Sequence, residues 1–465
     1  MAGERWYLLV LIVVGATVQD QFAQRSATLR HTHLNKHLAQ HPHTNLTTPE
    51  LIVRRGYPAQ VHHVITDDGY ILELHRIPHG RHGHPVEHSY STIQARPSPY
   101  RAPHHRTRPY AQYKSDNRRR WEGHMLYNRT LLAAGRRSGQ PRVVFLQHGL
   151  LSSSADYVMN DPEQALAFLL ADAGYDVWLG NLRGNFYSRR HLYLSPEELE
   201  FWDHSWNELA RYDLPAMLSY VRTTTGAAQV SYIGHSMGAS LLFAMLNYHP
   251  HLHTWVRVMA ALAPAAYIHN RKFPLGVLSP FVKKIDETLL QARFVEVMRL
   301  TPSQAALRST LCGPAAITSL LCTYILFLIH GPNSSYLDKK YLPVLSSHWP
   351  AGTGLHVFTH LLQLHASRRF QAFDYGQARN LAEYGRTFPP PFSLSRVKLP
   401  VGIFWSENDW IAEPVGVQQT ASELPWLALN YRVKLSDFNH MDFLWAENAH
   451  NLVYRPVMDF FDTFY

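Results

Sequence analysis

A chain of 465 residues that is 46% hydrophobic and 12% aromatic has the material for a large buried core, which excludes a generally disordered protein. Its net charge of +9 is concentrated: residues 81–142 hold twelve Arg and one Lys against Glu87, Asp116 and Glu122, so the remainder is nearly neutral. A charge run confined to one polar segment is a solvated insertion, which excludes nucleic acid as the partner around which the whole chain is organised.

In chain order, residues 1–18 read as a secretory signal. Arg5 supplies the positive start, weakened by Glu4, and Trp6 to Val18 is uncharged and mostly apolar. Val14-Gly15-Ala16 offers a small-residue cleavage site. The apolar stretch is shorter than the ~20 residues that a spanning helix needs. Residues 19–47 are polar, His-rich and without periodicity, as in a flexible leader. Glycosylation sequons at Asn45, Asn128 and Asn333 agree with a secreted protein, a lysosomal or other luminal compartment being the alternative. Val61 to Thr66 and Tyr70 to Arg76 are predicted strands joined by the turn Asp67-Asp68-Gly69. Residues 81–140, rich in Arg, His, Pro and Ser, read as a long surface insertion.

Regular structure resumes with Val143 to Gln147, a continuous apolar run of the kind buried in parallel sheets. A helix near Ala165 to Ala173, a strand over Tyr175 to Leu179, helical spacing over Trp206 to Thr224 and strands at Gln229 to Ile233 and Val256 to Leu262 follow. The alternation breaks over residues 267–395 and returns with the strand Val401 to Trp405, a helix near Val415 to Ser422 and a strand over Asn430 to Leu435. The predicted fold class is α/β: a mainly parallel sheet with helices on both faces, built from 48–266 and 396–465 and interrupted by a mostly helical cap. The two cysteines, Cys312 and Cys322, lie in that cap and form a close pair, read as a disulfide or as two buried free thiols.

Gly234-His235-Ser236-Met237-Gly238 stands between the strand ending at Ile233 and an apolar helix. Gly-x-Ser-x-Gly alone would occur by chance in about one chain in six of this length. Between a strand and a helix, however, it is the turn that presents a nucleophilic serine. A serine hydroxyl needs a base, and the base needs a third group to orient it. Asp409 follows the strand Val401 to Trp405 and His440 follows the next one, so serine, acid and base come in the order that this architecture uses, each at a strand end. Glu407, Glu413 and Asp442 compete with Asp409 for the acid. The backbone N–H of Met237, and that of Leu150 in His148-Gly149-Leu150-Leu151, are the candidate oxyanion donors.

These segments resemble the acid lipase family of α/β-hydrolases, which includes gastric lipase and lysosomal acid lipase. The resemblance rests on Phe145 to Leu151, on the long match Ala171 to Asn185, and on Asn439 to Trp445. Gly56-Tyr57-Pro58, Val64 to Tyr70 and His348 to Thr353 add to it. It implies the α/β-hydrolase fold, Ser236 as nucleophile, Asp409 as acid, His440 as base, and a cap disulfide between Cys312 and Cys322. Met237 stands where the family commonly has glutamine, and the basic insertion is far longer than the family's loop. The expected activity is a secreted serine hydrolase that cleaves long-chain acyl esters such as triacylglycerol through an acyl-enzyme. Such chemistry needs no cofactor and no metal, and its partners are the lipid ester and a lipid interface. The alternative is a weak or inactive lipid-binding protein on a hydrolase scaffold.

Overall fold

A computed structural model describes residues 42–81, 142–269, 275–313, 316, 318–332 and 336–465. The expected signal, most of the leader, nearly all of the basic insertion, Asn128 and Asn333 lie outside the described residues. Residues 42–45 form a turn with Thr44 buried and Asn45 exposed. The chain then enters the helix Thr48–Arg54, where Glu50 Oε2 accepts from the Thr47 N–H at 2.7 Å and closes a capping box.

The central sheet contains β1 (Gln60–Ile65), β2 (Tyr70–Ile77), β3 (Arg142–Gln147), β4 (Tyr175–Gly180), β5 (Arg190–His191), β6 (Val230–His235) and β7 (Val256–Leu262). Two further strands, β8 (Glu296–Val297) and β9 (Thr353–Gly354), pair with each other outside it, and β10 (Val401–Trp405) and β11 (Leu427–Arg432) complete it. Its order is β1-β2-β4-β3-β6-β7-β10-β11, with β5 on β2. The β1–β2–β4 edge is antiparallel, and every pairing from β4 to β11 is parallel. β4 and β6 are buried throughout and β3 from its second residue, because helices cover both faces. β3 lies between β4 and β6, so the connections leaving β3 and β6 diverge and a crevice opens at their carboxyl ends.

The strand predicted over Asn430 to Leu435 lies three residues earlier, at Leu427–Arg432. It is the edge strand, its burial alternates, and its register is set by β10, with Leu427 opposite Val401 and Arg432 opposite Trp405. The helix read over Trp206 to Thr224 is continuous in direction but changes pitch. A helical turn over Trp206–Glu208 passes through a wide turn over Leu209–Asp213 into the helix Leu214–Thr225. Pro215 has no N–H to give to the Arg211 carbonyl, and His249 Nε2 bonds that oxygen instead at 2.9 Å. Between β7 and β10 the chain leaves the sheet and forms helices at Val282–Gln291, Pro302–Leu311, Ser319–His330, Leu342–His348, Leu355–Ser367 and Gln377–Tyr384. Cys312 and Cys322 are joined by a disulfide with Cα atoms 5.8 Å apart, linking the second and third of these helices.

Arg183, just beyond β4, holds three parts of the fold together. Its Nε donates to Asp213 Oδ1 at 2.7 Å, and its two terminal nitrogens donate to Asp68 at 2.6 and 2.9 Å. Asp68 belongs to the β1–β2 turn and Asp213 to the wide helical turn, and the guanidinium carbon sits 3.8 Å from the centre of the Tyr70 ring. Burial raises the Asp213 carboxyl to about 6 even with Arg183 beside it. Asp68 is only partly buried, and the Arg183 charge keeps it below the ordinary carboxylate range. Removing the cation strands one buried and one partly buried carboxylate. Arg183→Met should cost ~3–5 kcal/mol in urea unfolding, with Arg183→Lys falling between it and the parent because an ammonium cannot reproduce the fork.

Candidate active site

Ser236 follows β6 and precedes the helix Met237–Tyr248, with φ 55° and ψ −121°. This is a conformation that non-glycine residues adopt only when their surroundings impose it. The surroundings are backbone. A methyl group at Gly238 would lie 2.3 Å from the Gln147 carbonyl oxygen, and one at Gly234 would lie 2.6 Å from the Ala239 nitrogen. Both glycines of the motif are therefore required by close approach. The Ser236 N–H donates to Leu262 O at 2.9 Å, fixing the turn to the end of β7.

Asp409 lies in the loop after β10 and His440 in the loop after β11. His440 Nδ1 is 2.7 Å from Asp409 Oδ2, and both side chains are almost wholly buried. The other carboxylate oxygen, Oδ1, accepts from the Ile411 and Ala412 N–H groups, each at 2.8 Å, so the acid is held on both sides. The three competing carboxylates have other partners. Glu407 is exposed and pairs with Arg432, Glu413 accepts from the His269 N–H, and Asp442 Oδ2 accepts from the Asn439 N–H at 2.6 Å. His440 is joined to the serine turn through His235, whose Nε2 bonds the His440 carbonyl at 3.0 Å and whose ring lies 4.7 Å from the His440 ring. His235 was not singled out from the sequence, although its place inside the motif was a signal.

Leu150 lies in the loop after β3 and Met237 opens the helix after β6. Met237 is the first residue of its helix, so its N–H has no intrahelical acceptor. Across from it, a methyl group at Gly149 would sit 3.1 Å from Ser236 Cβ, which places the loop after β3 against the serine. His148 sets the direction of that loop. Its Nε2 accepts from the Leu182 N–H at 3.2 Å, so Nδ1 carries the proton and donates to Gly149 O at 2.8 Å. In a trans peptide the Leu150 N–H points opposite to that carbonyl. Asn185 Nδ2 also reaches His148 Nε2 at 3.3 Å and Asn181 Oδ1 at 3.0 Å, and Asn181 Oδ1 accepts from the Ser154 N–H. The segment Asn181 to Asn185 thus braces the loop.

This geometry belongs to a chain with clear relatives. Residues 48–161 match the model described as "Partial alpha/beta-hydrolase lipase region", and residues 142–447 match "alpha/beta hydrolase fold". Lipase lipl-3 of Caenorhabditis elegans is 34% identical over 91% of this chain and 94% of its own length. Gastric triacylglycerol lipase of Bos taurus is 33% identical over 90% of this chain and 92% of its own length; the Homo sapiens protein is 32% identical over 90% and 91%. The chain belongs to the acid lipase family of α/β-hydrolases. It is a carboxylic ester hydrolase.

A Ser–His–carboxylate array also joins β2 to the loop after β3. His75 Nδ1 is 2.8 Å from Ser154 Oγ and His75 Nε2 is 2.8 Å from Glu73 Oε1. Ser154 and His75 are wholly buried, and Ser154 Oγ is also bonded to Thr48 and Asn181, so no ester reaches it. It is a structural bridge from β2 to the loop after β3.

Asp156 in the same loop is 4% exposed, and its Oδ2 has no hydrogen-bond partner among the described residues. Burial raises its carboxyl to about 7, with the Ser152 hydroxyl offsetting a part. The folded state therefore holds this proton more tightly than the unfolded chain, and its contribution to stability is lost as pH rises from about 4 through 7. Asp156→Asn should stabilise the protein at pH 8 by up to ~4 kcal/mol, the gain shrinking toward zero as the pH approaches 4. The buried histidines act in the opposite direction. Burial lowers His148 and His348 to about 4, and His204 and His360 to about 3. Because the unfolded chain takes up these protons first, stability should fall as pH drops from about 6.5 toward 3. Urea unfolding of the parent and of Asp156→Asn across this range checks both signs.

Proposed function

We propose that the protein is a secreted serine lipase acting on triacylglycerol or related long-chain acyl esters. The observation that carries this reading is the 2.7 Å bond from His440 Nδ1 to the buried Asp409 carboxylate, which leaves Nε2 to serve a serine. Ser236 Oγ attacks the ester carbonyl carbon while His440 Nε2 takes the hydroxyl proton, and Asp409 stabilises the imidazolium. The negative charge forming on the carbonyl oxygen is met by the Leu150 and Met237 N–H groups. The tetrahedral intermediate collapses, and the leaving alkoxide takes the proton from His440, leaving an acyl-serine. Water, deprotonated by His440, attacks the acyl carbon and releases the fatty acid and the serine. Side chains and main-chain amides complete the cycle without a cofactor or metal.

Residues 267–395 act as the cap over the crevice in this reading. Leu307, Leu320, Leu321 and Tyr324 are each more than half exposed on the two helices tied by the disulfide. Such a face supports contact with a lipid interface. The names of the gastric relatives support triacylglycerol as substrate. The disulfide, the exposed Asn45 and the N-terminal apolar stretch support an oxidising, extracytoplasmic location.

Ser236→Ala should lower kcat by at least ~1,000-fold with folding intact. A panel of short esters, triacylglycerols and cholesteryl esters from pH 4 to 8 should show long-chain ester turnover that depends on Ser236. Failure to turn over any long-chain ester would remove the lipase reading, and activity surviving in the alanine variant would remove the mechanism.

A further inference from the structure

The acid and base loops share an anchor that belongs to neither. The helix Ser319–His330 ends against them, and the next residues, Gly331 and Pro332, continue along them. His330 O accepts from both the Trp410 N–H and the His440 N–H, each at 3.3 Å. Gly331 O accepts from Asn439 Nδ2 at 3.2 Å, and Pro332 O accepts from Asn408 Nδ2 at 2.6 Å. Three consecutive main-chain carbonyls thus receive donors from residues adjoining Asp409 on both sides, from the residue before His440 and from His440 itself. Asn408 Nδ2 also donates to Asp437 O at 2.9 Å, tying the acid loop directly to the base loop. Beyond this strap, Glu447 N donates to Tyr336 O at 2.9 Å, and Leu337 bridges to Ala446.

We propose that the His330-Gly331-Pro332 strap is the positioning element of the catalytic acid–base pair, so that Asp409 and His440 hold their mutual geometry only while this part of the cap is seated. The proposal rests on the assignment of Asp409 and His440 made above. The last carbonyls of a helix have no intrahelical donor, and here the core loops supply donors. The His330 carbonyl, the last of its helix, belongs to the negative end of the helix dipole and is bonded to the His440 main-chain N–H. The His330 ring lies parallel to the His440 ring at 3°, with centroids 6.1 Å apart, closing that side of the base. The contact demands glycine at its centre. Gly331 has φ +127°, and a methyl group there would lie 2.1 Å from the Asn408 carbonyl oxygen. Gly331, Asn408 and Asn439 are positioning residues: they act through Asp409 and His440 and need touch no substrate.

Two variants test this in the full-length protein, with a soluble short-chain ester as substrate. Gly331→Ala pushes the strap off the acid loop, and Asn408→Ala deletes the two side-chain bonds that cross it. Rates are expressed per active site, titrated with a serine-reactive phosphonate, so that misfolded protein does not count. Each variant is expected to lower kcat by ~10-fold or more with KM changed less than ~3-fold, the pattern of lost alignment without lost binding. Each is also expected to weaken or abolish the low-field proton NMR signal of the His440 Nδ1–H bonded to Asp409. A loss only in the titratable fraction, with parent kcat per site and the parent NMR signal, would overturn the proposal and leave the strap a folding element. Parent values of both in Asn408→Ala, where no new atom clashes, would overturn it as well. If Ser236→Ala retained activity, the assignment beneath the proposal would fail, a separate and recognisable result.

Discussion

The whole site depends on how closely two main chains approach each other. Gly238 lies against the Gln147 carbonyl with no space for a methyl group between them, so the serine turn and the end of β3 are locked together. That contact places Ser236 beside the His148-Gly149-Leu150 loop and imposes its strained backbone conformation. Tyr157 Oη donates to the same Gln147 carbonyl at 2.7 Å, and Tyr232 Oη donates to Gly238 O at 2.6 Å, so both carbonyls at the contact are satisfied. A parallel sheet supplies such crossings only at its switch point, and β3 between β4 and β6 is where it does so here.

Around this contact, buried polar groups fix directions that hydrophobic packing leaves free. Apolar burial has no preferred orientation, whereas a hydrogen bond does. His148 turns the Gly149 peptide, Asn181 and Asn185 hold His148 and its loop, and Arg183 holds the segment between those asparagines to the helix and the first hairpin. The acid and base loops are organised in the same way. Asn439 Oδ1 accepts from the Met441 and Asp442 N–H groups, so the chain turns tightly at His440. Their remaining freedom is taken up by the carbonyls of the inserted segment. The site is therefore built from both parts of the chain that the sheet interruption separates.

Among the described residues, the histidines divide by environment. His148, His204, His348 and His360 are buried and held neutral, serving as directional hydrogen-bonding groups at a cost in acid. His75 completes a buried array with a serine and a glutamate that has the connectivity of a catalytic triad but no access to solvent. Hydrogen bonding alone does not separate that array from the one at Asp409 and His440. What separates them is the strained turn at Ser236, at the carboxyl end of a central strand.

The sequence by itself determined the parallel sheet, the strand-turn-helix at Ser236, and the order of serine, aspartate and histidine. Each of these is local: a buried run, a glycine on either side of a serine, a residue just past a strand. For Cys312 and Cys322 the sequence left a disulfide and two free thiols both open, the resemblance implied the disulfide, and the structure has it. Only the tertiary structure shows the bond between the His440 ring and Asp409, because Asp409 differs from Glu407, Glu413 and Asp442 in what it faces and not in its neighbours along the chain. The same holds for β11, an edge strand whose limits come from its pairing with β10. The strap at His330, Gly331 and Pro332 was the least legible part, since its acceptors are main-chain carbonyls that every residue possesses. Only the fold brings them to two loops more than seventy residues away.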